Sequence, residues 1–534
     1  MLPLSSCGCY DQKQYMFPIK KIDLFLFIVV AVVIIFIYHF PDLLPLFVTP
    51  KGLIYLGHIP YFDPWDTNLY VSAIHYGQWG GVLLANQYTS MPNNPILLYP
   101  FLTIIGFIFK SISPFLLFHI SNIFGGIILL IGMFCLLQKL GFSSLLALFA
   151  LFTISLGGGF GFLGWGRFPS GDITMSLFTF YSAFQKAHEA IGVLSFTGAL
   201  VLFYFFVINK EETIKIFPIM LLLLVSVFIY PYTVVCFFLI TGLFLFLYRK
   251  GGSIEERDYV HIALLAIPSV AVVLLLAYQI FSNPSFADIG NHIPLAFFPL
   301  LAGYGILLPL FLYQLFFLPK TALRIFFSVW FIVVFTLGIL PIGPGKVFLR
   351  GSFFPITVIC IVSLNEIVKN MKRIKYVAFI LFGIFLVGSS MYIFCNRIGM
   401  VYARSNWMYM SVSDFGVFDY LKKNTLPDSS IFSLITLGSQ IPAFTENRVY
   451  LGHTMQTPQA ADKQATVIAF FIGEGSVAQE KEMLRQNNIS YVLLGKNEES
   501  LYKKYAKKEN SLYATLDSFQ KVFQSQNISL YKVQ

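Results

Sequence analysis

Two aspartates near the start of the chain have the residue type and spacing that chemistry at a membrane surface requires. Asp63 and Asp66 lie in the segment Tyr61–Tyr70, in the loop that follows the first long apolar run. Carboxylates at a membrane mouth are costly to desolvate, so such pairs usually bind a cation or take part in proton transfer. The pair could act as a general base, as ligands of a hard divalent cation such as Mg²⁺ or Mn²⁺, or as both. From position alone, the alternative is a solvated loop in which Asp66 is the N-cap of a helix over Thr67–Gln78.

A second polar loop follows the glycine-rich run Gly157–Gly161 and carries Asp172. His188 and Glu189 stand where the chain enters its next apolar segment. The plain alternatives are an ordinary loop carboxylate and an interfacial histidine whose hydrogen bonds are satisfied. A second acidic loop on the same side as the first favours a shared site.

One arginine stands out among the cations. Arg350 is predicted to lie just inside the outer end of the apolar run Phe348–Ile367, and Lys346 precedes it. An arginine inside a span is expensive unless it faces a cavity or a partner, although its long side chain can also snorkel to the headgroups. The planar guanidinium suits a phosphate. An acidic centre beside such a cation indicates a lipid-phosphate substrate, and the lack of a Walker or Rossmann glycine motif makes a soluble nucleotide a poor fit.

The composition requires a membrane to position these residues. The chain has 534 residues, of which 57% are hydrophobic and only 12% are charged, and this predicts an α-helical polytopic membrane protein. The net charge of +10 is explained by basic loops on one side of the membrane. Nucleic-acid binding is excluded because no basic run is interleaved with aromatic residues. About eleven runs are long enough to span: Ile22–Phe40, Phe115–Leu137, Leu145–Leu163, Ala190–Ile208, Ile214–Tyr230, Thr233–Tyr248, Ile262–Phe281, Leu295–Leu318, Leu323–Leu340, Phe348–Ile367 and Val377–Cys395.

The distribution of lysine and arginine predicts the orientation. If the shorter run Ile96–Phe109 lies at the outer interface without crossing, the more basic loops all fall on the cytoplasmic side with the N-terminal head 1–21. The transmembrane domain is then 22–396, with external loops 48–114 and 164–189. Every candidate residue named above falls on the external side.

The last part of the chain has a different composition, rich in Asp, Glu, Lys, Asn and Gln. Short β-rich runs at Ser430–Ile435 and Tyr491–Leu494 alternate with the helical patterns Gln464–Ile472 and Gln479–Gln486. This alternation predicts a small extracytoplasmic α/β domain over 397–534.

Several short motifs occur in a fixed order along the chain. They are Pro64, Asp66 and Tyr70; Asn86, Tyr88 and Thr89; Asp172 and then His188; Lys346 and Arg350; and, in the C-terminal domain, Gly438–Thr445 and Arg448–His453. In these motifs the chain resembles the bacterial and archaeal GT-C-fold membrane glycosyltransferases, the class that includes protein mannosyltransferases and lipid A aminoarabinose transferases. The second acid of that family is usually Glu, whereas Asp172 stands here.

The resemblance implies a polyprenyl-phosphate-linked sugar as donor. The sugar would be transferred with inversion, outside the cytoplasmic membrane, to a lipid, glycan or protein acceptor. Asp66 would be the general base, while Asp63 and Asp172 would assist it or hold a divalent cation. Lys346 and Arg350 would neutralise the departing lipid phosphate. His453 and Arg448 would approach from the outer domain as lid residues or belong to its structural core.

Two other functions fit parts of the sequence. A transporter or flippase for a lipid-linked sugar would use the same arginine without chemistry, but the chain lacks the repeated halves of many transporters. An inactive scaffold with an outer binding domain is the other, and the retained acids in two loops argue against it.

Overall fold

The structure is a computed structural model that describes residues 20–59, 61–164, 166–248, 256–286, 296–341, 345–506 and 511–533. Most of the predicted N-terminal head and the turn residues 342–344 lie outside the described residues. The helices up to residue 403 are α1 Lys21–Leu43, α2 Pro45–Val48, α3 Pro64–Gln78, α4 Pro100–Ile108, α5 Pro114–Lys139, α6 Ser144–Ser155, α7 Gly171–Thr174, α8 Tyr181–Gln185, α9 Ala187–Ile208, α10 Ile216–Ile229, α11 Thr233–Tyr248, α12 Glu256–Phe281, α13 Phe297–Tyr304, α14 Leu307–Phe317, α15 Ala322–Ile339, α16 Phe353–Val368 and α17 Lys372–Ala403.

The described residues contain six helices that are long and apolar enough to cross a membrane, or up to seven if the bent pair α13–α14 counts as one span. They are Lys21–Val48, Pro114–Lys139, Ala187–Ile208, Val260–Phe281, Ala322–Ile339 and Ile374–Ala403. Shorter apolar helices are Ser144–Ser155, Thr213–Ile229, Thr233–Tyr248 and Phe353–Val368. The protein is therefore a multi-pass helical membrane protein, and the number of about eleven spans stays a prediction.

Two predicted spans are interrupted. The run 145–163 is helical only to Ser155, because the glycines from Gly157 onward leave the helix. The run 295–318 bends by 81° between α13 and α14, where Gly305 has a φ of +52°. The two interruptions meet, since a Cβ on Gly305 would lie 2.8 Å from the Cα of Gly159. Glycine is needed at both positions because the backbones touch.

The C-terminal region forms the predicted small α/β domain. Its elements are β2 Tyr409–Ser411, α18 Val412–Asn424, β3 Ser430–Phe432, α19 Ile435–Phe444, β4 Arg448–Val449, α20 Ala460–Phe471, α21 Val477–Gln486, β5 Tyr491–Leu494, α22 Lys496–Tyr505, α23 Ser511–Leu516, β6 Gln520–Gln524 and β7 Ser529–Lys532. The sheet order is β4-β3-β5-β7-β6, with β3 parallel to β4 and β5 and with β7 antiparallel to β5 and β6. The residues from 397 to 403, predicted to open this domain, are the end of α17.

The C-terminal α/β domain, named the outer domain for the side on which the sequence predicts it, docks on the loop that follows α1. Strand β1, Leu53–Tyr55, pairs antiparallel with β2. The Asn68 amide donates to Ser439 Oγ at 3.0 Å, and the buried Asn86 amide donates to the carbonyls of Ser285 and Gln456, each at 2.8 Å. The contacts with Ser439 and Gln456 attach α3 and the segment after it to the outer domain, and the contact with Ser285 attaches the same segment to the turn after α12.

Candidate functional site

Asp66 lies in the first turn of α3 and is not its N-cap, because the helix begins at Pro64 and not at Thr67 as the N-cap alternative required. Its Oδ2 accepts a hydrogen bond from Lys186 Nζ at 2.8 Å, and its Oδ1 lies 3.2 Å from His453 Nε2. Burial alone would raise the pKa of Asp66, but the Lys186 ammonium and the nearby His453 ring outweigh it and hold the pKa below its usual range. The carboxylate is therefore ionised at neutral pH, and its side chain keeps 23% exposure.

His453 brings the outer domain into the site. Its Nδ1 accepts the backbone N–H groups of Met455 and Gln456 at 3.0 and 3.1 Å. Because Nδ1 is an acceptor, the ring hydrogen is on Nε2, the nitrogen that lies near Asp66 Oδ1. The predicted partner Arg448 lies elsewhere: its guanidinium pairs with Asp428 at 2.9 Å.

A chain of alternating charges leads from Asp66 to the predicted phosphate site. Lys186 Nζ is 3.6 Å from Glu189 Oε1, and the same oxygen is 3.2 Å from Arg350 Nη2. Glu189 is 1% exposed, and Lys186 and Arg350 are each 10% exposed. The four side chains thus connect the acid of the first loop to the arginine.

Arg350 lies in a turn and not inside a helix, which corrects the expected position within a span. Gly351 has a φ of +75°, so the chain turns there and α16 begins only at Phe353. The guanidinium donates to Tyr232 Oη at 2.7 Å and stacks 3.9 Å from the ring of Tyr230. It reaches a cavity whose other walls are mostly apolar, lined by Tyr230, Tyr232, Val193, Phe196 and Phe348. The cavity holds about 10 Å³, roughly the room of one water molecule, so a lipid phosphate could reach Arg350 only if these walls moved apart.

Asp63 is the exposed member of the acidic pair, immediately before α3. Partial desolvation by the surrounding protein raises the pKa of Asp63, and the charge of Asp66 raises it further. Lys186 and Lys346 act in the opposite direction. Lys346 therefore lies within electrostatic reach of the acidic pair, in the short 3₁₀ segment Gly345–Leu349.

The second acidic loop has different contacts from those of the first. Asp172 is fully buried, and its Oδ2 accepts the backbone N–H of Gly159 at 2.6 Å and that of Gly161 at 3.4 Å, while its Oδ1 accepts from Ser170. Burial raises the pKa of Asp172, and these hydrogen bonds oppose the rise. These contacts show that the carboxylate holds the glycine loop in place.

His188 does reach the neighbourhood of Asp66, as part of an aromatic wall. Its ring centroid is 4.8 Å from that of Tyr70 and 5.7 Å from that of Tyr99. Lys186 lies over the Tyr70 ring at 4.9 Å. The wall shields the ion pair of Lys186 with Asp66 from water on one side.

The predicted cation ligands do not form a common site. Both oxygens of Asp172 are taken by the glycine loop and Ser170, and the oxygens of Asp66 face Lys186 and His453. Within the described ranges, no group of three or more His, Cys, Asp or Glu side chains has the arrangement that a metal ion needs. Asp63 and Asp172 therefore do not fit a shared divalent cation.

Sequence reasoning missed Lys186 as a site residue. The signal was its place three residues before Glu189 at the entrance of a span, where a buried cation needs an acid. Tyr230 and Tyr232, which hold Arg350, were also missed. Nothing in the sequence marks them apart from other aromatic residues near a helix end.

No protein-family model and no curated protein sequence matches the chain. Comparison with solved structures shows that the fold is that of the GT-C membrane glycosyltransferases. Among the similar solved structures are those of an archaeal oligosaccharyltransferase, AglB of Archaeoglobus fulgidus. Its apo form has a TM-score of 0.60 and 12% identity, over 96% of this chain and 75% of that one.

Two further structures of that oligosaccharyltransferase carry ligands. One is tethered to an acceptor peptide with the NVT sequon and has a TM-score of 0.58, at 12% identity, over 95% of this chain and 74% of that one. The other is a complex with an inhibitory peptide and a dolichol-phosphate, with a TM-score of 0.56 and 11% identity over the same shares of the two chains. At these identities the similarity establishes the GT-C fold.

Proposed function

We propose that the protein is a membrane glycosyltransferase that moves a sugar from a polyprenyl-phosphate-linked donor to a lipid, glycan or protein acceptor. The reaction would take place at the outer face of the cytoplasmic membrane, with the N-terminus inside and the α/β domain outside. The observation that carries the proposal is the charge chain Asp66, Lys186, Glu189 and Arg350, which links the acid of the first loop to a buried arginine. The GT-C fold supports it, and the similar oligosaccharyltransferase binds a dolichol-phosphate and an acceptor peptide.

In the proposed mechanism the two ends of the charge chain have different tasks. Asp66, ionised and open to solvent on one side, accepts the proton of the acceptor group as that group attacks the anomeric carbon. The bond between that carbon and the donor phosphate oxygen breaks, and the electron pair stays with the lipid phosphate. Arg350 and Lys346 neutralise this developing charge. Asp63 is close enough to assist Asp66 electrostatically.

The test compares transfer by the wild type and by Asp66→Asn from a panel of labelled polyprenyl-phosphate sugars. The isosteric amide removes the base and its charge, so we expect product to fall by on the order of 100-fold or more. Asp428→Asn is the matched control, because that carboxylate pairs with Arg448 and is 62% exposed. Both variants are compared at equal protein levels.

The outcomes separate the competing functions. Loss of product with Asp66→Asn alone supports a glycosyltransferase with Asp66 in its chemistry. Equal product from both variants removes Asp66 from the reaction. If no donor of the panel gives product with any variant while the protein is folded, transport of a lipid-linked sugar or a scaffolding role becomes the better explanation.

A further inference from the structure

Lys186 occupies the place beside Asp66 that a metal ion would need. Its ammonium lies 2.8 Å from Asp66 Oδ2 and 3.6 Å from Glu189 Oε1, so one buried cation stands between two carboxylates. The other oxygen of Asp66 lies 3.2 Å from His453 Nε2 without a hydrogen bond of good geometry. Lys186 is thus the donor that holds Asp66, and the second oxygen is left to face the acceptor.

A dication could bind Asp66 only at the expense of this arrangement. Hard cations bind carboxylate oxygens directly, at about 2.0 to 2.6 Å. A metal ion at that distance from Asp66 Oδ2 would lie next to the Lys186 ammonium, which is only 10% exposed, so water would screen the repulsion between the like charges poorly. Tyr70 keeps the ammonium in place, because the Lys186 side chain also lies within 3.4 Å of the Tyr70 hydroxyl and over its ring.

We propose that Lys186 is the resident cation of the site, so that its ammonium, and not a divalent metal ion, orients and neutralises Asp66. Lys186 acts through Asp66 and is a positioning residue. The inference deepens the proposed function, because it makes transfer independent of metal. It also explains why Asp63 and Asp172 need not form a shared metal site. The positive charge that a metal ion would supply is already supplied by the side chain of Lys186.

The first test measures metal binding and needs no turnover. Mn²⁺ is titrated into the purified full-length protein, and free Mn²⁺ is followed by its electron paramagnetic resonance signal. We expect the wild type and Asp66→Asn to give the same titration curve. A stoichiometric Mn²⁺ site in the wild type that Asp66→Asn removes would overturn the proposal. This result stands whether or not a donor has been found, so it is separable from failure of the proposed function.

The second test uses transfer with and without a chelator. Wild-type transfer should be unaffected by chelation, and Lys186→Ala should lose activity by on the order of 100-fold. Lys186→Arg keeps the charge and should retain a measurable part of the activity. If added Mn²⁺ restores part of the transfer activity of Lys186→Ala but none of that of Lys186→Ala/Asp66→Asn, the role of Lys186 as the cation beside Asp66 is supported. A lysine with a merely structural role would not be replaced by a metal ion.

Two results of the second test would overturn the proposal. One is loss of wild-type transfer on chelation, with recovery on adding Mn²⁺. The other is a folded Lys186→Ala variant that transfers sugar at the wild-type rate in the presence of chelator. Where Lys186→Ala does not fold, the comparison of the wild type with Asp66→Asn in the Mn²⁺ titration decides alone.

Discussion

At the scale of single residues, the site depends on one acid that serves two cations. Glu189 Oε1 is shared by Lys186 and Arg350, and the side chain is almost completely buried. Breaking a buried ion pair by removing one partner typically costs about 3–5 kcal/mol, because the remaining charges stay desolvated. Glu189 therefore supports both ends of the charge chain at once.

We predict that Glu189→Gln lowers both stability and transfer. The amide keeps the shape but leaves Lys186 and Arg350 as two buried cations with one acid fewer between them. Thermal unfolding in detergent and transfer of labelled sugar should both fall. The control is Glu366→Gln, because that carboxylate pairs with Lys369 at an exposed helix end and should leave both measurements unchanged. An unaltered melting temperature for Glu189→Gln would contradict the assigned role of the shared acid.

The sequence predicted individual residues of the site better than their contacts. Asp66 and Arg350 were named from their residue type and position and His453 from the resemblance, and in the structure these side chains lie in one connected group. Lys186 is 120 residues from Asp66, and no local pattern shows that the two side chains meet. Asp172 was named for the same reason as Asp66, but its partners are the backbone N–H groups of a glycine loop, which only tertiary structure reveals.

At the scale of elements, α3 is held in position by close contact with α4. A Cβ on Gly77 would overlap the carbonyl oxygen of Thr103, and a Cβ on Gly106 would overlap that of Ile74. The two helices therefore touch backbone to backbone, and α3 carries Asp66 in its first turn. The short run predicted at the outer interface is this nine-residue α4.

We predict that Gly77→Ala and Gly106→Ala disturb the site without changing any of its side chains. Each new methyl group must push the helices apart, so melting temperature and transfer should both decrease. Gly242→Ala in α11 is the matched control, since nothing lies within 4 Å of its Cβ. Alanine is favoured over glycine in a helix by up to about 1 kcal/mol, so this control should be neutral or stabilising. Equal behaviour of the three variants would refute the close contact.

In the outer domain, one carboxylate joins the starts of two helices. Glu498 is fully buried and accepts the backbone N–H of Leu434, before α19, at 2.9 Å and that of Gly495, before α22, at 3.1 Å. Burial raises the pKa of Glu498 from 4.5 to about 7, although the two hydrogen bonds oppose the rise. The folded state therefore binds the Glu498 proton more tightly than the unfolded state.

The sign of the resulting pH dependence follows from this difference. The stabilising contribution of Glu498 is complete below about pH 4.5 and is lost as the pH rises to about 7, by roughly 3 kcal/mol. We predict that Glu498→Gln removes this part of the decrease in melting temperature between pH 5 and pH 8, measured on the full chain. Glu499→Gln, an adjacent and exposed carboxylate paired with Lys503, should keep the wild-type slope. An unchanged slope in Glu498→Gln would show that the carboxyl does not titrate in this range.

Elements were predicted well wherever an apolar run or a regular alternation marks them. The spans around α5, α9 and α15 and the outer strands β3 and β5 lie where the sequence placed them. The hairpin of β6 and β7 was missed, since β6 is largely polar and exposed and has no alternating pattern. The bend at Gly305 was missed because a glycine inside an apolar run does not by itself show where the backbone turns.

At the scale of the whole molecule, the docked outer domain constrains the topology. Because β1 pairs with β2 and Asp66 meets His453, the loop after α1 and the outer domain lie on the same side. An even number of crossings must therefore separate them. Among the described residues, five long candidate spans follow α1, and five is an odd number of crossings. If the bent pair also crosses, six spans follow α1, and if the four shorter apolar helices cross as well, ten do. Totals of seven or eleven spans, with α1 included, therefore meet the condition, whereas a total of six does not.

We predict that the first loop and the outer domain are labelled from outside intact cells, and that the loop between α9 and α10 is not. The test uses single cysteines in place of the exposed Lys51, Lys422 and Glu212, in a background without the six native cysteines, and an impermeant maleimide. Lys51→Cys and Lys422→Cys should react at once, and Glu212→Cys only after permeabilisation, as the basic loops require. Labelling of Lys51→Cys and Lys422→Cys from opposite sides would contradict the docking of the two regions. If Glu212→Cys is the one variant labelled in intact cells, Asp66 and Arg350 lie on the cytoplasmic face. The donor would then have to bind from the cytoplasmic side.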